Sequence, residues 1–208
     1  DDWHARLAAA RADARTSAAA DTYSQFLIAR YASLINDPAE AARKYALVTK
    51  TSPEDSALIE RAVFASLLAN EFDLAASIAR EADAETLHET SLARLTLAAD
   101  AFSNGQTGSV AAYLEGEPAG AFNTLIMTAL EAWAHYGEGK DVQARLTLLD
   151  AASGDAYLDG LVLNLLGLME MSAGDDASAK DTFSKVEANN SLIAPGAAAY
   201  ARLLARDG

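Results

Sequence analysis

The chain has 208 residues, 51% of them apolar, with four prolines, no cysteine and a formal charge of -14. The length supports a substantial core and the apolar fraction excludes a disordered chain, while the lack of cysteine excludes disulfides, thiolate metal sites and a cysteine nucleophile. No run of about 18 apolar residues occurs, so no membrane span is expected, and no Lys or Arg stands between Leu95 and Gly139, which disfavours nucleic acid and anionic membranes as partners.

Alanine and leucine outnumber β-branched residues, so the predicted elements are helices. Residues 1–21 read as a helical lead with little to bury, since Trp3 and Leu7 are its only large apolar groups. These two lie one helical turn apart and suit docking into a groove, the chain's own or a neighbour's. Phe26, Ile28, Ala29, Ala32 and Ile35 mark the next helical stretch. It ends at Asn36-Asp37-Pro38-Ala39-Glu40-Ala41. There Asn takes the left-handed conformation that closes a helix. Asp caps the following helix, and Pro occupies a position where no N–H is needed. Ser52-Pro53-Glu54-Asp55 reads as a further helix start, with a cap, a proline and a reciprocal acid.

The corner phrase returns as Asn70-Glu71-Phe72-Asp73-Leu74-Ala75, as Asn104-Gly105-Gln106-Thr107-Gly108, as Gly139-Lys140-Asp141-Val142-Gln143-Ala144 and as Gly174-Asp175-Asp176-Ala177-Ser178-Ala179. Helical periodicity precedes each one: Ala62, Val63 and Leu67; Leu92, Leu95, Ala98 and Phe102; Leu125, Leu130, Ala132 and Trp133; Leu161, Leu165, Leu166 and Leu168. Gly167 in the last stretch allows two helices to come close. Ala197–Ala205 reads as a closing helix with Tyr200, Leu203 and Leu204 inward. Ala75 lies 34 residues after Ala41, Ser109 lies 34 further on, and Ala144 and Ala179 each follow after 35.

This spacing resembles the tetratricopeptide repeat (TPR) family over about residues 22–190. The family's small residue at position eight is met by Ala29, Val63, Ala98, Ala132 and Gly167. Its position-twenty alanine is met by Ala41, Ala75, Ser109 or Val110, Ala144 and Ala179. Its large residue at twenty-four is met by Tyr45, Leu148 and Phe183, and its proline at thirty-two by Pro53 alone. Gly108 weakens the third copy. The resemblance implies an all-α, right-handed α-solenoid of about five TPR-like helix pairs, with an N-terminal helix at 1–21 and a repeat domain over 22–208. The repeats fall near 22–55, 56–89, 90–123, 124–158 and 159–192, with a capping helix at 196–206.

In that family the first helix of each pair lines a concave groove. Carried onto this chain, the groove positions give Phe26, Glu60, Leu95, Ala129 and Asn164 at five. They give Arg30, Phe64, Ala99, Trp133 and Leu168 at nine, and Ser33, Leu67, Phe102, Tyr136 and Met171 at twelve. Such a groove is apolar and aromatic, suited to an apolar peptide or amphipathic helix. It lacks the Lys, Asn and Arg set with which relatives hold acidic chaperone tails. Phe26, Phe64, Phe102, Trp133, Tyr136, Leu168 and Met171 are the expected contacts, with Arg30 and Glu60 for specificity. Core packing is the plain alternative for Phe64 and Trp133. The alternative to a peptide scaffold is a self-associating protein, a homodimer among its forms, whose groove takes the helix of Trp3 and Leu7.

No catalytic residue, cofactor or metal is expected. His4, His88 and His135 have no partner at ligand spacing. Gly137-Glu138-Gly139-Lys140-Asp141 lacks the first glycine and the hydroxyl of a phosphate loop and reads as a corner. Gly174-Asp175-Asp176 lacks the remaining ligands of a calcium loop. The chain starts at Asp1 without a signal-like segment. A processed exported protein and a trimmed chain would both begin so. By resemblance, the periplasm is the expected location, with the cytoplasm as the alternative.

Overall fold

The backbone turns in the same manner at each repeated corner. Asn36, Asn70, Gly105, Gly139 and Gly174 all have positive φ, between 59° and 78°, and they recur every 34 or 35 residues. At each, the following N–H donates to a carbonyl five residues back: Asp37 to Ala32 (2.8 Å), Glu71 to Ser66 (2.8 Å), Gln106 to Ala101 (2.8 Å), Lys140 to His135 (2.9 Å) and Asp175 to Glu170 (2.9 Å). This closure satisfies carbonyls that the end of a helix would otherwise leave open. Asn190, at φ 53°, makes a sixth corner of the same kind, with Ser191 N–H bonded to Val186 at 3.0 Å.

The computed structural model describes the backbone of residues 2–115, 121–152 and 154–207, with side chains for all of these except 2–5, 7–11, 14, 121, 122 and 207. Among the described residues all regular structure is helical. The helices are α1 (Asp2–Leu34), α2 (Pro38–Thr49), α3 (Ser56–Leu68), α4 (Phe72–Glu81), α5 (Ala84–Glu89), α6 (Ser91–Ser103), α7 (Thr107–Leu114), α8 (Ala121–Gly137), α9 (Asp141–Asp150), α10 (Ala156–Ser172), α11 (Asp176–Ala188) and α12 (Ala194–Asp207). None is long and apolar enough to cross a membrane. The chain divides into two compact units, Asp1–Leu97 and Ala98–Gly208.

In the N-terminal unit α1 packs on α2, α2 on α3, and α3 on α4. In the C-terminal unit α8, α10 and α12 touch in succession, with α9 and α11 paired to them. That is the translational stacking of helix pairs expected of a helical repeat. The small positions stand at the closest approaches. Ala29, Val63, Ala98 and Ala132 are fully buried, as are Ala75, Ala144 and Ala179. Val110 rather than Ser109 fills the corresponding place in the third copy. Tyr45, Leu148 and Phe183 then occupy the wider gaps and are buried.

Three local features differ from the sequence reading. The cap before α3 is Asp55, whose carboxylate accepts from Leu58 N–H at 2.9 Å. Ser52 instead accepts from Asp55 N–H at 3.3 Å, so Ser52 and Pro53 form a turn before the helix. Ala82 is extended and Asp83 caps α5 by accepting from Thr86 N–H at 2.8 Å, which splits the second helix of the second copy. In α12, Leu203 is buried and Tyr200 half-buried, but Leu204 is exposed. The third copy is irregular, as Gly108 suggests: α7 has only 8 residues. The lead at 1–21 continues into α1 without a break. The side chains of Trp3 and Leu7 lie outside the described residues.

Candidate functional site

Helical spacing puts Leu125, Ala129 and Trp133 on one face of α8, and Tyr157, Leu161 and Leu165 on one face of α10. These faces, joined by Ile126 and Leu130, by Phe102 of α6 and by Ile193 ahead of α12, line an open cavity of about 470 Å3 in the C-terminal unit. Among the described residues, no charged side chain lines it. Trp133 meets Tyr136 edge to face, with ring centroids 5.6 Å apart and planes at 80°. Both rings also pack against the cluster of Leu125, Ala132, Leu148, Val162 and Met169. Trp133 therefore serves the core with one side and the cavity with the other. Phe102 packs against Ala98, Ala101 and Val110 and reaches the same cavity.

The other groove candidates lie elsewhere. Leu168 and Met171 line a separate hollow of about 430 Å3 with Pro195, Ala198 and Arg202, between α10 and α12. In the N-terminal unit Phe64, 55% exposed, lines a hollow with Ser33, Asn36, Pro38, Arg61 and Leu68. Phe26 packs edge-on to Tyr45, centroids 6.2 Å apart, and lines another hollow with Tyr23, Val48 and Leu58. Arg30 is exposed and lines neither of these hollows.

Position five is divided: Phe26 and Ala129 line hollows, while the other three residues are built into the fold. Leu95 and Asn164 are buried. Glu60 is half-buried and accepts from Leu92 N–H at 3.3 Å, at the start of α6. Asn164 accepts from Ile193 N–H at 3.2 Å, just ahead of α12. Both polar side chains tie a first helix to the entry of the next one. Burial raises the Glu60 carboxyl above its ordinary value of 4.5, against the lowering by the N–H groups of Leu92 and Ala93 and the charge of Arg94.

A carboxyl raised on folding costs stability where it is ionised, and the cost disappears below its unfolded value. Glu60→Gln keeps an acceptor for Leu92 and removes the charge. The variant should therefore be more stable than the parent at pH 7. The difference should shrink as pH falls through the folded value and vanish below about 4.5. Denaturant midpoints of both proteins across that range check this.

Among the described residues, no three His, Asp or Glu side chains converge as a cation site requires. Gly139 is a helix corner with Lys140 Nζ 2.6 Å from Glu138, and that contact holds the Glu138 carboxyl low. The most exposed wall of the cavity is Tyr157, at 69%. It carries the fourfold spacing to Leu161 and Leu165 and was readable from that spacing; Ile193, in a loop, left no such signal.

No protein-family model matches the chain, and no curated protein matches it in sequence. Among solved structures, it is similar to a thermophilic TPR protein of Thermus thermophilus, at 12% identity and a TM-score of 0.53. The likeness covers 88% of this chain and 98% of that one. It concerns the fold alone.

Proposed function

We propose that this chain, an all-α array of TPR-like helix pairs, is a non-enzymatic protein-interaction scaffold whose C-terminal unit takes an apolar segment of a protein partner. The observation that carries the reading is the cavity between α6, α8 and α10, exposed at Tyr157, lined by Trp133 and without a charged side chain among the described residues. Tyr and Trp bury large area at small entropic cost, which suits them as anchors. Binding by apolar burial depends weakly on salt, unlike binding by exposed charges.

The test uses Trp3→Phe, which leaves Trp133 as the one indole. A helical peptide of leucine, alanine and glutamine, with its leucines on one face, is titrated into it. Saturable change in Trp133 emission is expected, little altered by 0.5 M salt. Tyr157→Ala should weaken binding about tenfold, the effect of ~1.4 kcal/mol, with an unchanged melting curve. Binding that is indifferent to Tyr157→Ala and Leu161→Ala would refute the reading.

A further inference from the structure

Helix α1 is apolar on two opposite sides. Ala29 and Ala32 are buried toward the rest of the N-terminal unit. On the other side, Leu27, Tyr31 and Leu34 form an outward stripe in steps of four and three, and Tyr23, four residues before Leu27, continues it at the edge of the hollow it lines with Phe26 and Val48. Leu34 is 80% exposed, and Tyr23 and Tyr31 are each 63% exposed. A helix with apolar residues on opposite sides is normally buried on both, and an end helix of a stacked array normally turns a polar face outward. The same stripe runs back through Ala20, Thr16 and Ala12, all exposed and all small. Arg30, three residues after Leu27 and four before Leu34, and Asp13, at the azimuth of Tyr31, are the two charges on the stripe among the described residues.

We infer that this stripe is an interface between two copies of the chain, with their α1 helices packed antiparallel about a two-fold axis near Tyr23. The face is complementary to itself in size only in that direction. Leu34 of one copy meets Ala12 of the other, Tyr31 meets Thr16, Leu27 meets Ala20, and Tyr23 meets its own counterpart. Large side chains of each half fill the space over the small ones. A parallel pair would crowd the large halves together and leave the small halves apart. In the antiparallel register Arg30 faces Ser17, so no charge meets its like. Residues 12–34 overlap along about 35 Å of helix. Such a pair buries on the order of 1,000 Å2 in total, at the lower bound for a specific interface. The surface belongs to the N-terminal unit and the cavity to the C-terminal unit, and the test of the one does not use peptide binding to the other.

Sedimentation of the full chain over a concentration series should show a monomer–dimer equilibrium. Leu27→Glu with Tyr31→Glu should abolish the dimer while leaving the helical circular dichroism unchanged and the melting temperature independent of concentration. The chain has no cysteine of its own, so single cysteines report the register. Under mild oxidation Tyr23→Cys should cross-link to itself, and Ala12→Cys should cross-link to Leu34→Cys when the two proteins are mixed. Leu34→Cys alone should not cross-link. A monomer at every concentration, a dimer that survives the double glutamate variant, or Leu34→Cys cross-linking to itself would each overturn the inference.

Discussion

Phe183→Ala is expected to lower stability by about 3–5 kcal/mol, the range for removing a fully buried aromatic ring. The Phe183 ring has no exposure and packs with Ala179, Ala199 and Leu203, its centroid 5.8 Å from that of Tyr200. Its edge lies against Gly167 of α10, where an added Cβ would stand 2.7 Å and 2.8 Å from ring carbons. Gly196 of α12 also faces it, at 3.4 Å from the Cβ position. The ring is thus held between two glycines on two helices. Gly167→Ala gains about 1 kcal/mol of helix propensity but overpacks a ring with no room to retreat, at about 1–3 kcal/mol. A net loss is expected. Phe183→Leu should relieve that clash, so the double variant should be less destabilised than the two single effects added together. Chemical denaturation of the four proteins measures both effects; additivity would disprove the contact.

Asn164 is the second large expected effect. Its Nδ2 donates to the carbonyls of Gly160 at 2.7 Å and Ser191 at 2.8 Å, and its Oδ1 accepts from Ile193 N–H at 3.2 Å. The side chain is fully buried. Gly160 permits this approach, because a Cβ there would stand 2.8 Å from Ser191 Cβ. A Cβ at Gly196 would collide with the same carboxamide. Asn164→Ala leaves Ser191 and Ile193 without this partner and is expected to cost about 2–3 kcal/mol. Asn164→Asp should be worse at pH 7, since a carboxylate cannot donate to two carbonyls and is buried without a countercharge. Acidification should recover part of that loss by restoring one donor. Melting of both variants at neutral and acid pH checks the order; an aspartate variant as stable as the alanine variant at pH 7 would contradict it.

A second polar set holds α9, α10 and α11 together without such exclusive dependence on one residue. Thr182 donates to the buried Glu170 at 2.7 Å, and Arg145 lies 3.8 Å from the same carboxylate and 3.1 Å from Asp175. Asp175 in turn accepts from Ser178 N–H and caps α11. The Ser178 hydrogen bonds, followed by Arg145, hold its carboxyl below the usual range. Each anion here has two partners, so loss of one is shared.

The corners were legible because they rest on local dihedral preference. Asn and Gly tolerate positive φ whatever surrounds them, and Asp37 and Asp175 cap helices with their own side chains. The small residues at the helix crossings were legible for a related reason: a fixed interval repeats a fixed geometry. What α3 does at its start was less so, because Ser52 and Asp55 are both competent caps and only the built turn favours Asp55. Position five shows the deeper limit. Phe26, Glu60, Leu95, Ala129 and Asn164 share a register position, yet two line hollows, two are tied into or buried in the fold, and one is a hydrogen-bonded clasp. A helix period tells which residues share a face. Whether that face is open depends on the element placed against it, as with the loop at Ser191–Ile193 over Asn164. By itself the sequence determined where the chain turns, which residues are small at the crossings and that all elements are helical. Tertiary structure alone decided that Phe102 and Trp133 share a cavity while Phe64, Leu168 and Met171 do not, because partition between core and surface is set by neighbours distant in the chain.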